Sequence, residues 1–187
     1  LTGNLTVSTA NAAITQTGAL IVPGTANFQA GTGNVTLATA TNNFNVVDLS
    51  AQGASLRDAN TVTLGNVATT GSLTLVTAGA LNQSAGGALA VGGVASLTAG
   101  AANNISLSNA LNNFTTVRIV SGNYAQLRDI DSLEIGGGAS SVTRTLTLNT
   151  GGTLGFTSAV TAGNLSVTTS NAGVTQSAPL TVAGTSN

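Results

Sequence analysis

Residues 3–27 read GNLTVSTANAAITQTGALIVPGTAN, and residues 163–187 read GNLSVTTSNAGVTQSAPLTVAGTSN, with no insertion between the two. Fourteen of the 25 positions are identical, and most others are small swaps such as Thr for Ser or Ile for Val. A weaker copy lies between them. GNLTV at 3–7 returns as GSLTL at 71–75, ITQT at 14–17 as LNQS at 81–84, and ALIVPGTANFQAG at 19–31 as ALAVGGVASLTAG at 88–100. NNF at 42–44 returns at 112–114, and SLRDANTVTLG at 55–65 as QLRDIDSLEIG at 126–136. The offset drifts from 67 to 71, so loops gain or lose single residues while the framework holds. Super-repeats at about 3–70, 71–162 and 163–187 follow, the second carrying extra material near 146–162 and the third incomplete. A unit that cannot bury its core alone repeats because it must stack on a neighbour.

A shorter beat runs inside each copy. Apolar–hydroxyl–apolar triplets recur, among them Leu5-Thr6-Val7, Val35-Thr36-Leu37, Val62-Thr63-Leu64, Leu73-Thr74-Leu75, Ile105-Ser106-Leu107, Leu146-Thr147-Leu148 and Leu165-Ser166-Val167. Period two is the mark of a strand with one buried face. Gly, Asn and Ala-Gly steps between the triplets are turn chemistry. No stretch keeps a helical apolar stripe, so helix is not expected. Anchors recur roughly every 21–24 residues in three series, with one shorter step of 18 from Phe44 to Val62: Leu5, Phe28, Leu49, Leu73; Ile14, Val35, Leu56; and Leu20, Phe44, Val62. The spacing predicts an all-β, parallel β-helix (β-solenoid) with three short strands per coil of about 22 residues and about eight coils. Each super-repeat would then be three coils. Parallel crossovers favour a right-handed path.

Composition decides between a folded rod and its alternatives. Only 5% of residues are charged, against about 25% in ordinary soluble domains. The regular apolar spacing still argues for a core and against disorder. The longest stretch poor in polar groups, AGGALAVGGVA at 85–95, is too short for a spanning helix, which needs about 20 apolar residues. Four Phe and one Tyr cannot build the aromatic girdles of an outer-membrane barrel. A net charge of −1 offers nothing to nucleic acid. His, Cys, Met, Trp and Lys are absent, so nucleophilic and metal-assisted catalysis lack their usual residues. No enzyme activity and no cofactor are expected.

Few residues stand out from the pattern. Asn42 and Asn43 precede Phe44 as Asn112 and Asn113 precede Phe114, and Asn103-Asn104 precedes Ile105. These read as turn or ladder amides, with sugar contact as the alternative. Arg57-Asp58 and Arg128-Asp129 occupy equivalent places and read as strand-end ion pairs with Asx turns. Arg128, Asp129 and Asp131 form, near Glu134, the only cluster that could serve a ligand or a glycan. Calcium would want six to eight oxygens, so no metal is expected. Outward Thr hints at an ice-binding array, but the usual strand offers one such Thr rather than two. Sequons at Asn4, Asn34, Asn82, Asn104, Asn113 and Asn164 permit glycosylation in an exported chain.

The beats GNLTV…ITQTGALIVPGTANFQAGTGNVTLATATNNFN resemble the repeat regions of large bacterial exoproteins similar to filamentous haemagglutinin, which belong to two-partner secretion systems. The resemblance covers essentially the whole chain. It implies a right-handed parallel β-helix, export through an outer-membrane secretion partner, and a shaft that presents adhesive or toxic tips. No residue role is carried over, because shaft repeats hold no catalytic motif. The expected function is a structural shaft segment of a secreted adhesin at the bacterial cell surface, in a chain longer than this window. Its partners would be further coils of the same chain or neighbouring subunits, and host or neighbouring-cell glycans or proteins. A subunit of an extracellular filament or matrix fibre is the second expectation. A glycan- or ice-binding solenoid is a minor third.

Overall fold

The computed structural model describes residues 2–187. Among them there is no helix, and nineteen strands pair in parallel into one coiled sheet. The chain winds three strands per lap. Eight steps of pairing carry Ile14 through Val35, Ala54, Leu73, Ala95, Val117, Ile135 and Phe156 to Gln176. The average lap is slightly shorter than the spacing predicts. The shortest runs from Val47 to Leu64 and the longest from Leu81 to Ile105. At about 4.8 Å per lap, eight laps make a rod about 40 Å long.

Three rows of stacked strands form the sides of this prism. The first row begins with residues 5–8 and continues through 26–29 to 47–50. The second begins with Ile14–Thr15 and rises through 35–37, 54–56, 73–75 and 95–97 to 117–119. The third has only residues 21–22 and 43–44, and it ends beneath Asp58. As it ends, the first row divides. Residues 46–47 carry 63–64 and residues 49–51 carry 67–69, with a register shift at Gly65-Asn66 between them. Three and one-third laps later the event recurs one row over. The branch through 67–69 and 89–91 ends at 113–114 beneath Asp129. The second row then divides, into 134–135 above 116–117 and Val142 above Gly122.

This exchange corrects the expectation of three whole laps per super-repeat. Residues 5–69 supply ten strand segments, which is three and one-third laps. Copies therefore do not lie directly above one another. Leu5 belongs to the first row, its equivalent Leu73 to the second, and Leu165 to a branch of the first. Each super-repeat starts one face further round the rod. The extra material at 146–162 is one complete lap, set between Ala125 and Leu165 in the same row.

Inward Leu, Val, Ile, Phe and Ala form one continuous core. Each fully buried large side chain contributes about 1.5–3 kcal/mol. Phe28 and Phe44 meet edge to face, with ring centroids 6.0 Å apart. The anchor series hold in part. Phe28 stacks on Leu49 and Ile14 on Val35, as read. Leu5, however, lies under Ala26, Leu56 continues Leu37, Leu73 continues Ala54, and Phe44 lies on Val22 while Val62 carries Leu81. A two-residue slip keeps a side chain on the same face of a strand, so periodicity alone could not separate these partners.

Four of the turns that follow strands use a left-handed residue. Gly31 and Gly100 supply it at φ 58° and 80°, and Asn11 and Asn171 at φ 74° and 58°. Among the described residues these two Asn are the only non-glycines with positive φ. Asn tolerates that region because its short side chain bonds locally.

Candidate functional site

The two row endings are where polar side chains enter the core. Asn42 is fully buried. Its amide pairs reciprocally with Gln16 one lap below, at 2.7 and 2.8 Å. Its Oδ1 also accepts Leu20 N–H at 2.9 Å, and its Nδ2 donates to the Leu37 carbonyl at 2.9 Å. One residue pair later Phe44 turns its ring inward. Its N–H donates to Oδ2 of buried Asp58 in the next lap at 2.6 Å, and Asp58 Oδ1 accepts Asn60 N–H at 2.9 Å. Three laps are stapled in this way from Gln16 to Asp58.

The second ending repeats this bond for bond. Asn112 pairs with Gln83 at 2.5 and 3.0 Å, accepts Leu89 N–H and donates to the Leu107 carbonyl. Asp129 Oδ2 accepts Phe114 N–H at 2.6 Å and Oδ1 accepts Asp131 N–H at 3.0 Å. Asn43 and Asn113, one residue on in period two, point outward and are exposed. The amides thus make Asn–Gln pairs, not runs of like residues. The signal for these partners in the sequence is the Gln that ITQT and LNQS share, at Gln16 and Gln83.

The Arg-Asp pairs separate for the same reason. Neighbours on a strand face opposite ways. Asp58 and Asp129 turn inward, whereas Arg57 and Arg128 are exposed. The Asx turns form, and the aspartates bond backbone N–H groups in place of the expected ion pairs. Burial pushes the Asp58 carboxyl above the usual range, against the pull of its two N–H donors. Burial pushes Asp129 up to about 6, again against two N–H donors, and the Asp131 carboxyl beside it pushes the same way.

Of the ligand candidates, Arg128 and Asp131 are exposed and Asp129 is not. Asp131 and Glu134 border an open depression of about 400 Å³ with Asn113, Thr115 and Ser132. Asp129 does not line it; its carboxylate accepts the N–H groups of Phe114 and Asp131, which do. Among the described residues no three His, Cys, Asp or Glu side chains gather as metal ligands would. Every buried side-chain nitrogen and oxygen among them has a hydrogen-bond partner. Asn103 bonds the Ala99 and Ala78 carbonyls, and Asn104 Oδ1 accepts from Asn123 one lap above. No helix is long and apolar enough to cross a membrane.

A repeat solenoid stapled in this way fits a structural role. A family model described as repeats of unknown function (DUF5649) matches residues 1–50, 51–121 and 143–187. No curated protein and no solved structure matches the chain.

Proposed function

The chain belongs to the family of repeats of unknown function (DUF5649), and from that premise we propose that it is a non-catalytic shaft segment of a large secreted bacterial adhesin, holding functional regions away from the cell surface. One observation carries this reading. The core runs unbroken from lap to lap, and both buried carboxylates are engaged by backbone N–H groups at the row endings. A rod so built transmits length and stiffness. Its near-neutral surface suits a projection among other projections, since little charge repulsion opposes crowding. The resemblance of the beats to filamentous haemagglutinin-like repeats supports export through an outer-membrane partner.

The test is to delete whole laps from the native gene and image the cells. Removing residues 71–162 should shorten the surface projection by about four laps, near 20 Å, and leave adhesion intact. Recovery of the protein from inside the cell, or loss of adhesion at unchanged length, would overturn the reading.

A further inference from the structure

The first and second super-repeats build one corner twice. Val35, Ala54 and Leu73 stack in successive laps of the first, and Ile105, Ala125 and Leu146 in successive laps of the second. The backbones agree bond for bond. Val35 N–H donates to the Gly53 carbonyl at 3.0 Å, and Ile105 N–H to that of Tyr124 at 2.8 Å. Gly71 N–H donates to the Gln52 carbonyl at 2.6 Å, and Arg144 N–H to that of Asn123 at 2.8 Å. Gly53 and Gly71 therefore stand where the second super-repeat carries Tyr124 and Arg144.

In the second super-repeat those two side chains cover the corner. The Arg144 guanidinium lies 5.9 Å from the centroid of the Tyr124 ring. Asn104 Oδ1 accepts Asn123 Nδ2 at 3.2 Å and Tyr124 N–H at 3.4 Å. In the first super-repeat the same corner is an open groove of about 370 Å³, with both glycines in its lining. A Cβ on Gly53 would come within 3.2 Å of the Ser72 carbonyl oxygen and 3.3 Å of Asn34 Oδ1. Asn34 and Gln52, the counterparts of Asn104 and Asn123, border the groove with exposed amides, and Thr36 and Thr74 border it with exposed hydroxyls. No charged residue lines it. Its row continues below to Ile14 and above to Ala95, so the opening owes nothing to the ends of the chain.

We propose that this groove binds a neutral saccharide, with one sugar ring over Gly53 and Gly71 in the place that Tyr124 and Arg144 fill in the second super-repeat. Two amides and two hydroxyls offer both donors and acceptors to the adjacent hydroxyls of a sugar. A tyrosine side chain from a protein partner would match the space but brings a single hydroxyl, and it would strip water from the amides without replacing it. An ionised sugar gains no ion pair from this lining.

The inference goes beyond the shaft reading and fails separately from it, because a shaft that binds nothing is still a shaft. Saturation-transfer NMR of the whole chain with neutral trisaccharides of glucose, galactose and mannose tests it. At least one should bind, with a Kd on the order of 1 mM for so open a site. Gly53→Tyr copies the second super-repeat at a residue without positive φ, so the fold should stand, which circular dichroism checks. That variant should lose the transfer signal. Gln52→Ala, at an exposed side chain, should weaken binding about threefold to tenfold, the worth of one hydrogen bond. Three results would overturn the proposal: no signal from any of the three sugars, binding unchanged in both variants, or binding of tyrosinamide where the sugars do not bind.

Discussion

Asn42 and Asn43 are neighbours of one residue type with opposite duties, and the pleat alone assigns them. Asn42→Ala strips partners from the Gln16 amide and from Leu20 N–H inside the core. Chemical denaturation should show a loss of about 1–3 kcal/mol. Asn43→Ala, on the outer face, should change stability by no more than about 0.5 kcal/mol. Asp129 predicts a pH dependence of definite sign. In the folded chain its carboxyl keeps its proton up to about pH 6, and in the unfolded chain it releases it near 3.8. Between those values the folded state holds more protons, so raising the pH through that window withdraws stability. Melting temperature should therefore fall from about pH 4 to 6 and then level off. Asn60 stands beside Asp58 where Asp131 stands beside Asp129. Asp131→Asn should accordingly pull the upper edge of the window down, and an unchanged edge would show that the Asp131 carboxyl has no part in the shift.

At the scale of elements, the lap is the unit that can be gained or lost. Leu146 and Leu165 occupy successive places in one row, as do Leu154 and Val174. Deleting residues 146–164 removes one complete lap and sets Leu165 on Ala125. That variant should fold and unfold cooperatively, with near-native circular dichroism. Deleting residues 146–155 removes half a lap and forces the next strands onto the wrong rows. It should fail to give a protease-resistant core, because the inward and outward sets no longer meet their counterparts. The existing 146–162 insertion is a natural instance of the tolerated kind. Laps as short as Val47 to Leu64 and as long as Leu81 to Ile105 coexist because turns absorb the difference while the strand segments keep their register.

For the molecule as a whole, the rotation of each super-repeat by one face governs what a partner would meet. A feature written once per super-repeat winds round the rod. The two buried aspartate endings, Asp58 and Asp129, close different rows. Paired spin labels can read this directly. Labels at Thr15 and Thr74 share the second row and stand three laps apart, about 14 Å. Thr6 and Thr74 are equivalent in sequence but lie in different rows. Placing copies directly above one another would align Thr6 with Thr74 and leave Thr15 on another face, so the two distances decide between the arrangements.

Much of this was legible in the sequence. Apolar–hydroxyl–apolar triplets set the strands and their inward faces, Gly and Asn set the turns, and the recurrence of whole phrases set a stacked solenoid of three strands per coil. The repeated NNF and RD positions marked both row endings, although not their chemistry. Sequence could not separate Asp58 from an ion pair with Arg57, because it shows residue types and not the depth at which each carboxyl sits. Nor could it fix which Leu stacks on which, since a slip of two residues preserves every inward side chain. Only the folded coil chose among those registers, by demanding that strands, bends and buried polar atoms be satisfied together in three dimensions. The same demand turned each super-repeat into three and one-third laps and set each copy one face on from the last.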